Sequence, residues 1–261
     1  MALPRFGMLS VEFDSVTHAR GSADYAYNFV QWQIGFSSLW AWSIGIAPLK
    51  DTFHSIHVQP EADADGDVPG DIFNEHFPDL HAAVSLFSMG PFVPGDRTGY
   101  EDELILSRSY NANGLLLRLD EPLTPIDAEL IRKARNETNG PSSGHAERLD
   151  IFGDRFGSQI WTTKSEINTR SGHVVLYAEL VENYLISSEE LGIDEDSVYL
   201  YRGYPELLHD EELTFPILLN SAEHWGLLYG GIKMNLGWSY PIVVIGEINK
   251  WAHISPQVRH Y

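Results

Sequence analysis

The sequence predicts an α+β fold that is strand-rich, with mostly antiparallel sheets and a few short helices. Three observations lead there. Short apolar runs rich in β-branched and aromatic residues recur along the chain. Two gaps between such runs are rich in Asn and Gly, residues that tolerate the positive φ of tight turns. Segments with helix start signals are few and short.

The first long apolar stretch, residues 25–49, carries no charge and is long enough to raise a spanning helix. From Val30 to Ile46, however, its large residues alternate: Val30, Trp32, Ile34, Phe36, Trp40, Trp42, Ile44 and Ile46 fall on even positions. Period two predicts a strand, or two strands with a turn near Ser37-Ser38, rather than a helix. The aromatic row is expected to face a sheet core, or alternatively to form a binding or assembly surface. Residues 58–72 are acidic and rich in Gly and Pro, which reads as a loop.

Further on, Leu104–Leu106 and Leu115–Leu119 flank Asn111-Ala112-Asn113-Gly114 and predict a hairpin. Thr124-Pro125-Ile126-Asp127 supplies an N-cap, a proline and a first-turn acid, predicting a helix to about Arg135. Its apolar side is Ile126, Leu130, Ile131 and Ala134. Residues 136–147 read as a linker or surface loop. Gln159–Thr163 and His173–Tyr177, around 168–172, predict a second hairpin.

Ser187–Leu191 is expected to form a short acidic helix, and Val198–Tyr201 and Phe215–Leu219 two strands. Asn220, with Glu223 three residues on, has capping-box form. Ala222, Trp225, Leu228, Tyr229 and Ile232 then follow helical spacing, with Gly230-Gly231 as the stop. Pro241–Ile248 is the last expected strand. The chain reads as one domain, 1–261; the alternative is a strand-rich 1–140 followed by an α+β region, 148–261.

Composition narrows the partners. The formal charge of −20 disfavours nucleic acid and anionic membranes, which reward clustered Lys and Arg. Five lysines against twelve arginines, with many carboxylates, resemble proteins of salt-loving organisms. The absence of cysteine removes disulfides, thiol catalysis and thiolate metal sites. The opening residues lack a basic region followed by an apolar core, so a cytoplasmic location is expected. A protein partner or acceptor is expected, and a homo-oligomer is left open.

Three groups of residues carry candidate chemistry. In Glu61-Ala62-Asp63-Ala64-Asp65-Gly66-Asp67-Val68, alternate carboxylates precede a glycine. That spacing resembles an EF-hand loop and implies Ca2+ on Glu61, Asp63, Asp65 and Asp67. The twelfth position is Ile72 rather than glutamate, so a solvated acidic loop is the competing reading. His54, His57, His76 and His81 form the second group. With Asp79 they could hold a divalent ion, although no established spacing is present and ordinary histidines are the alternative.

The third group is Tyr201-Arg202-Gly203, Asn220-Ser221 leading to Trp225 and Tyr229, and Glu247 on the last expected strand. This order resembles the core of mono-ADP-ribosyltransferases over about a fifth of the chain. Asn220-Ser221 stands where that family has a Ser-Thr-Ser triplet, and Gly246-Glu247-Ile248 replaces its Glu-x-Glu. The resemblance implies NAD as cofactor, held by Arg202, Gly203 and Ser221, with Glu247 catalytic. A guanidinium suits phosphate, and a carboxylate stabilises oxocarbenium-like charge as nicotinamide leaves. The alternative class is a non-enzymatic structural or virion-type assembly protein, or an acidic protein covering a basic partner surface.

Overall fold

A computed structural model of the chain describes residues 16–22, 31–59, 75–134, 159–167, 170–178, 184–187, 190–191, 198–201, 204–208, 212–215, 225–234, 236–239, 242–244, 246–247 and 249–252. Its backbone divides into two units: Met1–Arg118 with Asp150–Arg155, and Leu119–Leu149 with Phe156–Tyr261. Short helices and mostly antiparallel strands make this a strand-rich α+β fold.

The first unit is built on parallel segments. Strand β1 (His18–Arg20) pairs in parallel with β2 (Ala47–Leu49), and helix α1 (Gly35–Ser43) connects them. The chain beyond β2 continues to Phe53, which bridges in parallel to Pro94. Helix α2 (Pro78–Phe87) makes that second crossover. Successive parallel segments need a crossover of this kind, and a helix supplies it.

Helix α1 corrects the expected strand over 30–46. Its large residues mislead because Trp40 and Trp42 are not the buried ones; Ser37, Ser38 and Ala41 are. These small residues follow helical i, i+3 and i+4 spacing and let the helix approach the sheet closely. Ser37 Oγ donates to Gly21 O at 2.7 Å, immediately after β1. Gly45, at φ +80°, ends the helix, its N–H bonding Trp42 O at 2.9 Å.

Helix α2 is buried on nearly every side, from Leu80 to Phe87, its mostly apolar surface interrupted by the buried His81 and Ser85. Pro78 occupies its first turn with Asp79. Gly90 then passes so close to β2 that a Cβ there would lie 2.6 Å from Pro48 O. Only glycine fits that approach.

The first expected hairpin is shorter than its sequence suggests. Residues Glu103–Ser107 form helix α3, capped by Asp102 Oδ1 accepting from Leu104 N at 2.9 Å and Ile105 N at 3.1 Å. Only Tyr110 and Leu116 bridge across the turn. The turn itself is as expected, with Asn111 Oδ1 bonding Asn113 N and Leu115 N and Gly114 at φ +78°.

The second unit is antiparallel. Strands β3 (Thr124–Pro125), β4 (Gln159–Ile167), β5 (Arg170–Ala178), β7 (Val198–Tyr201), β8 (Tyr204–Leu208) and β10 (Trp225–Met234) form one sheet, in the order β3-β4-β5-β10-β7-β8. Strand β11 (Ile242–Val244) pairs with the end of β10, while β6 (Tyr184–Ser187) pairs separately with β9 (Glu212–Phe215). Helix α4 (Asp127–Ala134) starts just past the expected cap, because Thr124-Pro125 is drawn into the sheet as β3. The β4–β5 hairpin is present in full register, Gln159 opposite Ala178 through Ile167 opposite Arg170. Glu190 closes a turn after β6 by accepting from Ser187 N at 3.0 Å, where a short helix was expected.

Strand β10 corrects the expected helix through Trp225–Ile232. Trp225, Leu227, Leu228 and Tyr229 are all buried, so apolar residues fall on both faces of a central strand and imitate helical spacing. Its glycines serve close packing: a Cβ on Gly226 would lie 2.4 Å from the Tyr177 ring, its cross-strand partner. Tyr177 covers the space the missing side chain leaves.

Candidate functional site

Polar residues gather in the first unit at the C-terminal ends of its parallel segments. Arg20 closes β1, and its Nη1 lies 2.8 Å from Asp51 Oδ2, two residues past β2. Asp51 N donates to Ser22 Oγ at 2.8 Å. Past the second segment, Ser55 N donates to Asp96 Oδ1 at 2.7 Å, and Gln59 Nε2 reaches the same oxygen at 2.8 Å. Asp96 itself follows the 90–95 segment, whose Gly95 N bonds Phe53 O at 2.8 Å. Parallel pairing therefore brings Arg20, Asp51, His54, Ser55 and Asp96 to one end of the unit.

Beneath them lies a buried charged cluster. Lys50, directly after β2, has no solvent exposure. Its Nζ donates to Gln31 Oε1 at 3.1 Å and Asp51 O at 3.0 Å, and sits 5.6 Å from the Phe53 ring centre. Glu75, just before α2, is 4% exposed. It accepts from His54 N at 3.3 Å through Oε2, and its Oε1 lies 3.1 Å from Nε2 of the fully buried His81. That contact lacks hydrogen-bond alignment. His57 Nδ1 meets Glu75 O at 2.8 Å.

Burial sets the charge states. It drives the Lys50 ammonium down to about 7, against the pull of the Glu75 and Asp51 carboxylates. It pushes the Glu75 carboxyl up to about 7, opposed by Lys50 and by the His54 and His76 backbone N–H groups, and aided by Asp96. It holds His81 well below the usual imidazole range, with Lys50, His76 and His54 adding to the effect. His81 is therefore neutral at physiological pH.

The residues singled out from sequence fall differently. Glu247 lies beyond β11 rather than on a strand, its side chain 58% exposed and 3.8 Å from Lys250 Nζ. Arg202, Gly203 and Ser221 lie outside the described residues, as do Glu61, Asp63, Asp65 and Asp67. The four histidines gather around Glu75, His54 and His81 buried and His57 and His76 exposed, but not as metal ligands. Among the described residues no three His, Asp or Glu are placed to hold a metal ion. Nor is any described helix long and apolar enough to cross a membrane.

Sequence reading missed Lys50 and Glu75. The available signal was a charged pair, Lys50-Asp51, immediately after an apolar strand-length run in a chain poor in lysine. The expected strand over 30–46 hid it, since without the α1 crossover no strand end exists there.

No protein-family model matches the chain, and no curated protein matches it. Among solved structures, the fold is similar to a GH27 β-L-arabinopyranosidase variant from Geobacillus stearothermophilus in complex with arabinose, with a TM-score of 0.51. The two are 13% identical, and the match covers 87% of this chain and 47% of that one. The chain thus spans about half the length of that enzyme.

Proposed function

We propose that this protein recognises a carbohydrate at the C-terminal ends of the parallel segments in its first unit. The observation that carries the reading is the gathering of Arg20, Asp51, His54, Ser55 and Asp96 at those ends. In parallel α/β units, strand ends of this kind are where ligands sit. A guanidinium and carboxylates suit adjacent sugar hydroxyls, because each offers two parallel hydrogen-bonding positions. The likeness to an arabinose-bound glycoside hydrolase supports the ligand class by analogy of fold.

Recognition, rather than hydrolysis, is the proposed activity. Glycoside hydrolysis needs an acid and a second carboxylate across the scissile bond. Here Asp51 is held by Arg20 and Thr52 N, and Asp96 Oδ1 by Ser55 and Gln59. These carboxylates organise the strand ends.

The test is a thermal-denaturation series with L-arabinose, D-galactose, D-glucose and NAD at millimolar concentration. A saturable rise in Tm with at least one sugar, lost in Asp51→Asn, is the expected result. No shift with any of the sugars overturns the reading. A shift with NAD alone, absent in Arg202→Ala, would instead favour the ADP-ribosyltransferase reading.

A further inference from the structure

A buried lysine, glutamate and histidine need a reason to be together. Lys50 has no exposure and two neutral oxygen partners, Gln31 Oε1 and Asp51 O, for its three donors. Glu75 is buried against the His54 backbone and the His81 ring. A charge so placed is costly unless a proton moves to remove it. The groups facing the cluster come from every neighbouring element: Asp51, His54 and His57 after β2, His76 before α2, His81 on α2, and Asp96 after the 90–95 segment.

We propose that the Lys50–Glu75–His81 cluster is a pH-sensitive switch, whose proton uptake and release set how firmly the end of β2 is held. Both ends of the cluster touch that backbone: Lys50 Nζ bonds Asp51 O, and Glu75 accepts from His54 N. The inference stands apart from carbohydrate recognition, since it concerns the folded state without ligand.

Each group has its own sign. Lys50 is lowered from 10.5 to about 7, so the unfolded chain holds more protons across that window. Stability therefore rises as pH goes from about 7 toward 10.5. Glu75 is raised from 4.5 to about 7, so its contribution is complete below 4.5 and is lost as pH rises through about 7. His81 is lowered from 6.5, so its contribution is present above that value and is lost in acid. Glu75 and His81 oppose one another on the acid side, which leaves the alkaline rise from Lys50 as the clear signature.

The experiment is urea denaturation of the full chain from pH 7 to pH 9, in wild type and Lys50→Met. The folding constant of the wild type is expected to climb by up to about tenfold per pH unit relative to the variant. Wild type and variant changing in parallel would overturn the switch. A second measurement applies if Lys50→Met fails to fold: 13Cε NMR titration of the five lysines in the wild type. One resonance titrating well below the other four supports the proposal, and all five titrating together overturn it.

Discussion

The two units bury different chemistry. In the second, β5 is buried from Val174 to Ala178 by Val174, Val175, Leu176, Tyr177 and Ala178, and it meets Ile160 and Trp161 on β4. In the first, the residues after β2 bury Lys50 and His54, and α2 brings His81 and, just ahead of it, Glu75. An apolar interior stabilises in proportion to area removed from water. A buried ion pair stabilises little once desolvation is counted, and replacing it with apolar groups is often neutral or better. The second unit buries polar side chains singly, such as Glu129 on α4 and Gln159 and His173 in its apolar sheet, whereas the first gathers Lys50, Glu75 and His81 into one cluster at a cost in stability. That cost marks the first unit as the place to look for function.

The largest expected contrast comes from one substitution in each unit. Trp161→Ala removes a fully buried indole, along with its hydrogen bond to Gln159 Oε1 at 2.9 Å. It should cost about 3–5 kcal/mol in denaturant-derived stability. Lys50→Met at pH 7 should cost less than about 1 kcal/mol or raise stability, because Glu75 can remain protonated. Equal losses in the two variants would break the contrast between scaffold and polar cluster.

Next in size is Gly226→Ala. The added methyl would meet the Tyr177 ring at 2.4 Å, in a strand buried on both faces. Overpacking of this kind costs about 1–3 kcal/mol. The same variant tests the strand assignment of β10, since alanine in a helix there would stabilise instead.

The smallest effect belongs to Arg20→Ala. Its pair with Asp51 is 2.8 Å long, but the arginine side chain is 47% exposed. Water and salt screen such a pair, so the stability change should stay within about 0–1 kcal/mol. Sugar-dependent stabilisation should fall in the same variant. Loss of fold without a ligand would recast Arg20 as structural.

Parts of the second unit were legible in sequence. The β4–β5 hairpin announced itself through two β-rich runs, although Gly172, expected in the turn, pairs with Ser165 inside β5; α4 announced itself through Asp127, although Pro125 joins β3. Both signals are local. The errors came where period is ambiguous. Trp225–Tyr229 has apolar residues on both faces and so fits helix and strand alike. In 30–46 the large residues alternated by chance, while the helical face was carried by Ser37, Ser38 and Ala41. The polar cluster was harder still. Lys50, Glu75 and His81 are brought together by two crossovers, and no local spacing encodes that meeting.

Carbohydrate recognition at the strand ends is the central claim, and a crystal soaked in L-arabinose tests it most directly. The account predicts sugar density within hydrogen-bonding distance of Arg20 or Asp51. Well-diffracting crystals that show the sugar only elsewhere, or no sugar at saturating concentration, would contradict it.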